Sequence, residues 1–291
     1  MTSRGDFHLH STCSDGVHTP TWVVERAAAN GVTAMALTDH DSTEGLGEAT
    51  AAAVRIGIRL IPGVELSTDL RSRDVHLLAY GFDVGSSELQ EWLRSQRETR
   101  IGRAHRIVEI LRDNGMPITV ERVFEIAGEA TVGRPHVARA LLEKGYVQSV
   151  QEAFDRWLGD GKPGDVPRPK LSPADAIAQV HRRGGVVFCA HPGFLGDDCE
   201  SVVRELTGWG LDGIEAFYKH YDSAVVTSIA ALAADLGLET SGGSDYHGLG
   251  NPDDREIGDI PFPDAAVDRF LSFIDQRTIT PWLGGPAHAR S

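Results

Sequence analysis

Apolar residues along this chain gather in short blocks, at 32–38, 58–65, 75–80, 185–190, 212–218 and 238–241, each ending in polar residues and each predicted to be a strand. A seventh block, Phe7-His8-Leu9-His10, alternates apolar and imidazole side chains and reads as a first strand. Helical spacing fills the intervals. Thr19-Pro20-Thr21 supplies an N-cap and a first-turn proline for a helix that Asn30-Gly31 stops, and a second helix runs from about Thr43 to Ile56 before Gly57. Later helices are predicted at 173–183, 202–208, 223–236 and 261–276. Repeated strand–helix units imply parallel strands with the connections outside, so the fold class is α/β, as a barrel or a doubly wound sheet.

The rhythm breaks between residues 86 and 161, where only helical spacing appears: Leu89, Trp92 and Leu93, then Ile107, Val108 and Leu111, then Val123 and Phe124, then Leu141, Phe154 and Trp157. We expect an inserted all-helical cap, with 162–169 as a stiff proline-rich return linker. The expected division is 1–85 for the first part of the barrel, 86–169 for cap and linker, 170–283 for the second part, and a disordered tail at 284–291.

Length and charge narrow the function. At 291 residues the chain has ample material for a buried core. A formal charge of −14 argues against sequence-blind binding of duplex nucleic acid, which needs many cationic phosphate contacts, but a small anionic substrate is compatible if metals or local arginines reverse the field. No apolar run is long enough to span a membrane and no apolar leader precedes Phe7, so a cytoplasmic protein is expected. Nothing in the sequence designates a protein partner. Cys13, Cys189 and Cys199 lack CxxC spacing, which speaks against a disulfide framework or a thiolate zinc site.

Chemistry concentrates at the ends of the apolar blocks. In an extended chain His8 and His10 leave the same face, and Asp15, beside Gly16, adds an oxygen ligand from a turn that can fold back. Alone, this pair is better explained by surface or core histidines. Its company changes the weighing: Thr38-Asp39-His40-Asp41, Gly63-Val64-Glu65, Val75-His76, Ala190-His191-Pro192 and Gly242-Gly243-Ser244-Asp245-Tyr246-His247. Strand ends are where a barrel enzyme keeps its reactive groups. One ion takes about four to six protein ligands, so the nine groups His8, His10, Asp15, His40, Glu65, His76, His191, Asp245 and His247 point to two or three metals sharing carboxylates. Imidazole and carboxylate without thiolate suit Mn, Fe or Zn, with manganese preferred.

In order from His8 to His247, these segments resemble the motifs of the polymerase and histidinol phosphatase (PHP) family. The resemblance implies a distorted (β/α)7 barrel with a trinuclear site: His8, His10, Glu65 and Asp245 at one metal, Glu65, His76 and His191 at a second, Asp15, His40 and His247 at a third. The helical insertion with Gly133-Arg134-Pro135-His136 is similar to the branch containing nucleoside 3′,5′-bisphosphate phosphatases and 5′-to-3′ oligoribonucleotide exonucleases. That motif also reads as a plain helix start, with Pro135 in the first turn and Arg134 solvated, although a guanidinium suits a phosphate.

The expected activity is therefore metal-dependent removal of a 3′-phosphate from a nucleoside 3′,5′-bisphosphate. Cations roughly 3.5–4 Å apart lower the pKa of a bridging water, and the resulting hydroxide attacks phosphorus in line. Glu65 and Asp15 are the central carboxylates. His220 is a candidate proton donor to the leaving oxygen and equally a loop histidine. Arg134, Lys170 and Lys219 are candidates for the second phosphate, whereas the ladder Arg94, Arg97, Arg100, Arg103 and Arg106 spirals around its helix and reads better as a solvated, salt-bridged face. Exonucleolysis of short 5′-phosphorylated RNA, hydrolysis of another small phosphomonoester, and a metal-stabilised scaffold without activity are the alternatives.

Overall fold

The computed structural model describes residues 4–71, 73–128, 130–159, 161–166, 171–250, 255–280 and 282–283. Lys170 and the expected tail at 284–291 lie outside them. Seven strands pair in chain order: β1 (Gly5–Asp6), β2 (Ala34–Leu37), β3 (Arg59–Leu70), β4 (Arg73–Tyr80), β5 (Val186–Cys189), β6 (Gly213–Tyr218) and β7 (Glu239–Gly243). The sheet then nearly closes on itself. Phe7 N donates to Gly242 O at 3.0 Å, His10 N donates to Tyr246 O at 3.1 Å, and Leu9 bridges Tyr246 in parallel. This is the distorted α/β barrel that the strand–helix rhythm and the family resemblance implied.

Two strand expectations need correction. The first strand is regular only at Gly5–Asp6, and the His8–His10 stretch continues extended with a single bridge at Leu9. More consequentially, β4 runs antiparallel to both β3 and β5, whereas the other pairs are parallel. A parallel crossover needs a dozen or more residues, and only two separate β3 from β4, so they form a hairpin. Arg71 in its turn adopts φ 54°. The polar residues between the third and fourth apolar blocks form this ribbon, with Ser67 opposite His76 and Thr68 opposite Val75.

Outside the sheet lie α1 (Pro20–Ala29), α2 (Leu46–Ile56), α7 (Pro173–His181), α8 (Cys199–Gly208), α9 (Ser223–Leu236) and α10 (Asp264–Arg277). Local chemistry fixes their starts: the Thr19 hydroxyl accepts from Trp22 N, and Asp222 accepts from Ala224 N and Val225 N. Between β4 and α7 come α3 (Ser87–Asp113), α4 (Val120–Ala127), α5 (Arg134–Glu143), α6 (Val150–Ala153) and a wide helical turn at Phe154–Leu158. These pack around Ile107, Leu111, Val123, Val137, Leu141 and Leu158, a cluster separate from the barrel cores. One barrel core stacks Phe7 on Phe270, ring centroids 4.3 Å apart, beside Tyr80 and Phe188. The other seats α1 and α2 on Met35, Leu37 and Leu60. After the linker the chain rejoins the ribbon, where Asp69 N donates to Leu171 O at 3.0 Å.

Candidate metal centre

Alternation along the first stretch sends Phe7 and Leu9 into the cores and buries His8 and His10 on the other side. Two glycines permit this close packing. A Cβ on Gly243 would lie 2.2 Å from His8 Cβ, and one on Gly16 would lie 2.8 Å from the His10 carbonyl carbon. The turn after His10 folds back as Gly16 N donates to Ser11 O at 3.0 Å, which swings Asp15 over the barrel mouth. Asp39 fastens that turn, accepting from Ser11 N at 2.7 Å, Ser11 Oγ at 2.7 Å and Ser14 Oγ at 2.6 Å.

Glu65 is the hub. Its Oε2 lies 3.2 Å from His8 Nε2, 3.1 Å from His10 Nε2 and 3.2 Å from His40 Nδ1. Its Oε1 lies 2.7 Å from His76 Nδ1 and 3.4 Å from His191 Nε2. Because β4 is reversed, the start of that strand stands at the rim where β2 and β5 end, and His76 thereby meets Glu65. Asp245 Oδ1 sits 3.4 Å from His8 Nε2 and 3.2 Å from His10 Nε2, and Asp15 Oδ1 lies 3.2 Å from His247 Nε2. All nine nominated residues thus join one contiguous network.

Three sets of ligand atoms lie mutually within 4.8 Å: His8, His10, Glu65 and Asp245; His10, Asp15, His40 and His247; and His40, Glu65 and His76. The first matches the implied set. The others differ in detail, since His10 joins Asp15, His40 and His247, and His40 takes the place expected for His191. Buried polar atoms in proteins are normally hydrogen-bonded, yet His10 Nε2, Asp15 Oδ1 and His40 Nδ1 have no hydrogen bond. Orphaned nitrogen and oxygen lone pairs, with no thiolate among them, fit hard to borderline divalent cations.

Burial alone would raise the carboxyls of Glu65, Asp15 and Asp245, but the surrounding histidines hold all three well below the usual range. Burial also opposes a charge on His10, but Asp245 and Glu65 lift it to about 10, while burial carries His40 down to about 3. The pocket is a strongly charge-coupled acceptor of positive ions.

Several supporting groups were not singled out from the sequence. Glu215 on β6 is fully buried, with Oε1 3.0 Å from His8 Nδ1 and Oε2 accepting from His191 N at 2.7 Å. An acid inside the apolar strand Gly-Ile-Glu-Ala-Phe-Tyr was the readable signal. The Tyr218 hydroxyl donates to Asp245 Oδ2 at 2.7 Å. Asp6 accepts from Ser244 N at 3.0 Å and Gly258 N at 2.8 Å, and burial raises its carboxyl to about 6.

A cavity of about 220 Å³ opens on the cluster, lined by Asp15, His40, His76 and His247 together with Arg100, Arg103 and Arg134. Arg134 is at a helix start, as the motif suggested, but it is mostly buried, with its Nη2 3.6 Å from Asp74 Oδ2. It begins α5, with Gly133 as N-cap, lines the cavity, and donates from Nη1 to Leu158 O at 3.0 Å. The arginine ladder needs a partial correction. Arg106 is solvated beside Glu109, but Arg100 and Arg103 turn inward, because steps of three residues put successive side chains about 60° apart and a few of them share a face. Lys219 donates from Nζ to Asp245 O at 2.8 Å and lines neither cavity, and His220 is exposed, its ring centroid 5.7 Å from that of Tyr218. A second cavity, of about 940 Å³, shares Asp74, His76, Arg103 and Arg134 with the first and continues past His191 to Phe194.

The PHP domain family matches residues 6–159. The chain is 37% identical over 251 residues to a 5′-3′ exoribonuclease of Haemophilus influenzae, covering 85% of this chain and 91% of that one. It is 36% identical over 262 residues to a 3′,5′-nucleoside bisphosphate phosphatase of Chromobacterium violaceum, covering 88% and 92%. Among solved structures it is similar to a Chromobacterium violaceum amidohydrolase with bound sulfate and no metal, with a TM-score of 0.86 and 32% identity over 99% of this chain and 100% of that one.

Proposed function

The chain belongs to the PHP family and is a metal-dependent phosphoesterase, and from that premise we propose that its substrate is a nucleoside 3′,5′-bisphosphate, from which it removes the 3′-phosphate. In this reading the nine clustered side chains hold three divalent cations, manganese ahead of iron or zinc. Bound there, the cations supply Lewis acidity that activates water and neutralises phosphoryl oxygens. The chain's own part is to orient the ester and hold its second phosphate.

One observation carries the choice of substrate: residues of the histidine–carboxylate cluster and three arginines, Arg100, Arg103 and Arg134, line the same small cavity. Planar guanidinium groups recognise phosphate bidentately, which a lone ester group at the metals would not require. We further propose that 86–169 acts as a cap supplying those arginines, and that the enzyme is cytoplasmic, in keeping with its three free cysteines.

A second reading, exonucleolysis of short 5′-phosphorylated RNA, is favoured by the larger cavity alongside, which has room beyond a mononucleotide. The deciding experiment combines metal analysis with turnover of adenosine 3′,5′-bisphosphate against 5′-phosphorylated di- to pentaribonucleotides. Faster release of inorganic phosphate from the bisphosphate supports the first reading, faster release of mononucleotides the second, and inertness toward both refutes the pair.

A further inference from the structure

The segment after β5 is fastened along its length. His191 N donates to Glu215 Oε2 at 2.7 Å, with the residue itself at φ 30°, and Phe194 N donates to His191 O at 3.1 Å. Gly193 N donates to Tyr221 Oη at 2.6 Å. Arg73 closes the far side, donating to Leu195 O at 3.2 Å and pairing with Asp198. Yet this anchored segment leaves Phe194 64% exposed, the most exposed of the large apolar side chains among the described residues. Folding gains little by holding a phenyl ring out in water on so rigid a frame.

The ring's position says what it serves. Phe194 lines the 940 Å³ cavity, together with Val75, Ala190 and Leu195, with Arg134, and with His76 and His191 of the cluster. Its contacts with His191 and Tyr218 have centroids 5.3 and 5.5 Å away at interplanar angles of 53° and 83°, so neither ring lies parallel on it. A ligand whose phosphates sit between the metal cluster and the arginines would carry its apolar part into this cavity, and the flat apolar part of a phosphorylated nucleoside is its base.

Resting on the bisphosphate reading above, we propose that Phe194 is the stacking platform for the substrate's nucleobase, making the outer cavity a base subsite that selects nucleotides over other phosphate esters. Base–aromatic stacking tolerates any base, so the subsite distinguishes nucleotide from non-nucleotide without reading sequence.

The test compares Phe194→Ala with the unaltered, metal-loaded enzyme on adenosine 3′,5′-bisphosphate and on its abasic counterpart, which keeps the sugar and both phosphates. The variant should raise KM for the adenosine compound about 5- to 150-fold and leave the abasic compound unchanged, and Phe194→Trp should restore affinity. Calorimetric binding of adenosine 5′-monophosphate against ribose 5-phosphate separates this inference from the one beneath it. If the enzyme turns over no bisphosphate but Phe194→Ala still weakens only the adenosine ligand, the base subsite stands and the bisphosphate reading falls. Equal effects on base-bearing and base-free ligands, or none on either, overturn the stacking role.

Discussion

Replacing Glu215 with alanine perturbs the proposed centre while leaving all nine clustered side chains in place. The buried carboxylate binds His8 through Nδ1 and His191 through its backbone N–H, at 3.0 and 2.7 Å. His8 in turn offers Nε2 to the space bounded by Glu65 and Asp245. A carboxylate behind a ligating imidazole fixes its tautomer and ring orientation, and losing such a partner typically weakens metal binding about 10- to 100-fold. That corresponds to about 1.4–2.7 kcal/mol. Alanine also strands two buried donors, each at about 1–3 kcal/mol, offset in part because a desolvated carboxylate disappears with them. Competition with a chromogenic chelator would read the affinity, and circular dichroism would check the fold. Glu215→Gln, which keeps one acceptor, should fall between alanine and the parent. A folded Glu215→Ala protein that binds the same metal equivalents with unchanged affinity would refute the argument.

Glu65→Ala should abolish phosphate release and cost at least one metal equivalent by elemental analysis, since Oε1 and Oε2 together lie within 3.4 Å of five imidazoles; retained activity is incompatible with its place as hub. Arg134→Ala should raise KM for a bisphosphate far more than for a simple aryl phosphate, and equal changes would remove Arg134 from second-phosphate recognition. His136 gives a pH prediction: burial holds its imidazole down to about 4 against an ordinary 6.5, so its contribution to stability is present in full above 6.5 and lost as the pH falls through 4, about 3 kcal/mol in all. Its Nδ1 accepts from Gly133 N at 3.0 Å, an acceptor that His136→Asn preserves, so urea unfolding at pH 7 and pH 4 should show the variant losing less stability than the parent; parallel losses would mean the histidine is not held neutral.

The clustering of the nine imidazoles and carboxylates was legible because metal chemistry restricts residue type severely and barrel geometry restricts place: such groups just past apolar blocks have few other uses in combination. Helix α9 was read to the residue, since Asp222 caps one end and Gly237 the other. The reversal of β4 was not legible. Ser67, Thr68 and Asp69 lie where the ribbon overshoots the rim, and there the Thr68 hydroxyl buries itself by donating to Val75 O at 2.5 Å, not by being apolar. The inward arginines escaped for a different reason. Periodicity shows that Arg97, Arg100 and Arg103 spiral, but which part of the spiral meets the barrel depends on α3 docking, and docking is a tertiary fact. Glu215 could have been found from a single buried acid in a six-residue apolar strand.

That docking has a further consequence for how the site is built. Arg100 donates from Nε to Asp41 Oδ2 at 2.7 Å and Arg97 from Nη1 to Asp41 O at 3.0 Å, while Ser67 N donates to Asp41 Oδ1 at 3.2 Å. Asp41 holds φ 50°, a conformation costly for a residue with a Cβ unless its surroundings over-determine it, and these three bonds supply that restraint one residue from His40. On the opposite side Arg139 Nη2 donates to Asp15 O at 3.1 Å and Thr131 N donates to Cys13 O at 3.3 Å. The segment between β4 and α7 is thus hydrogen-bonded to both loops that carry Asp15 and His40. Because α3 presents Arg100 to Asp41 and Arg100 with Arg103 to the cavity, a displacement of that one element must disturb the loop that carries His40 and the cavity lining together.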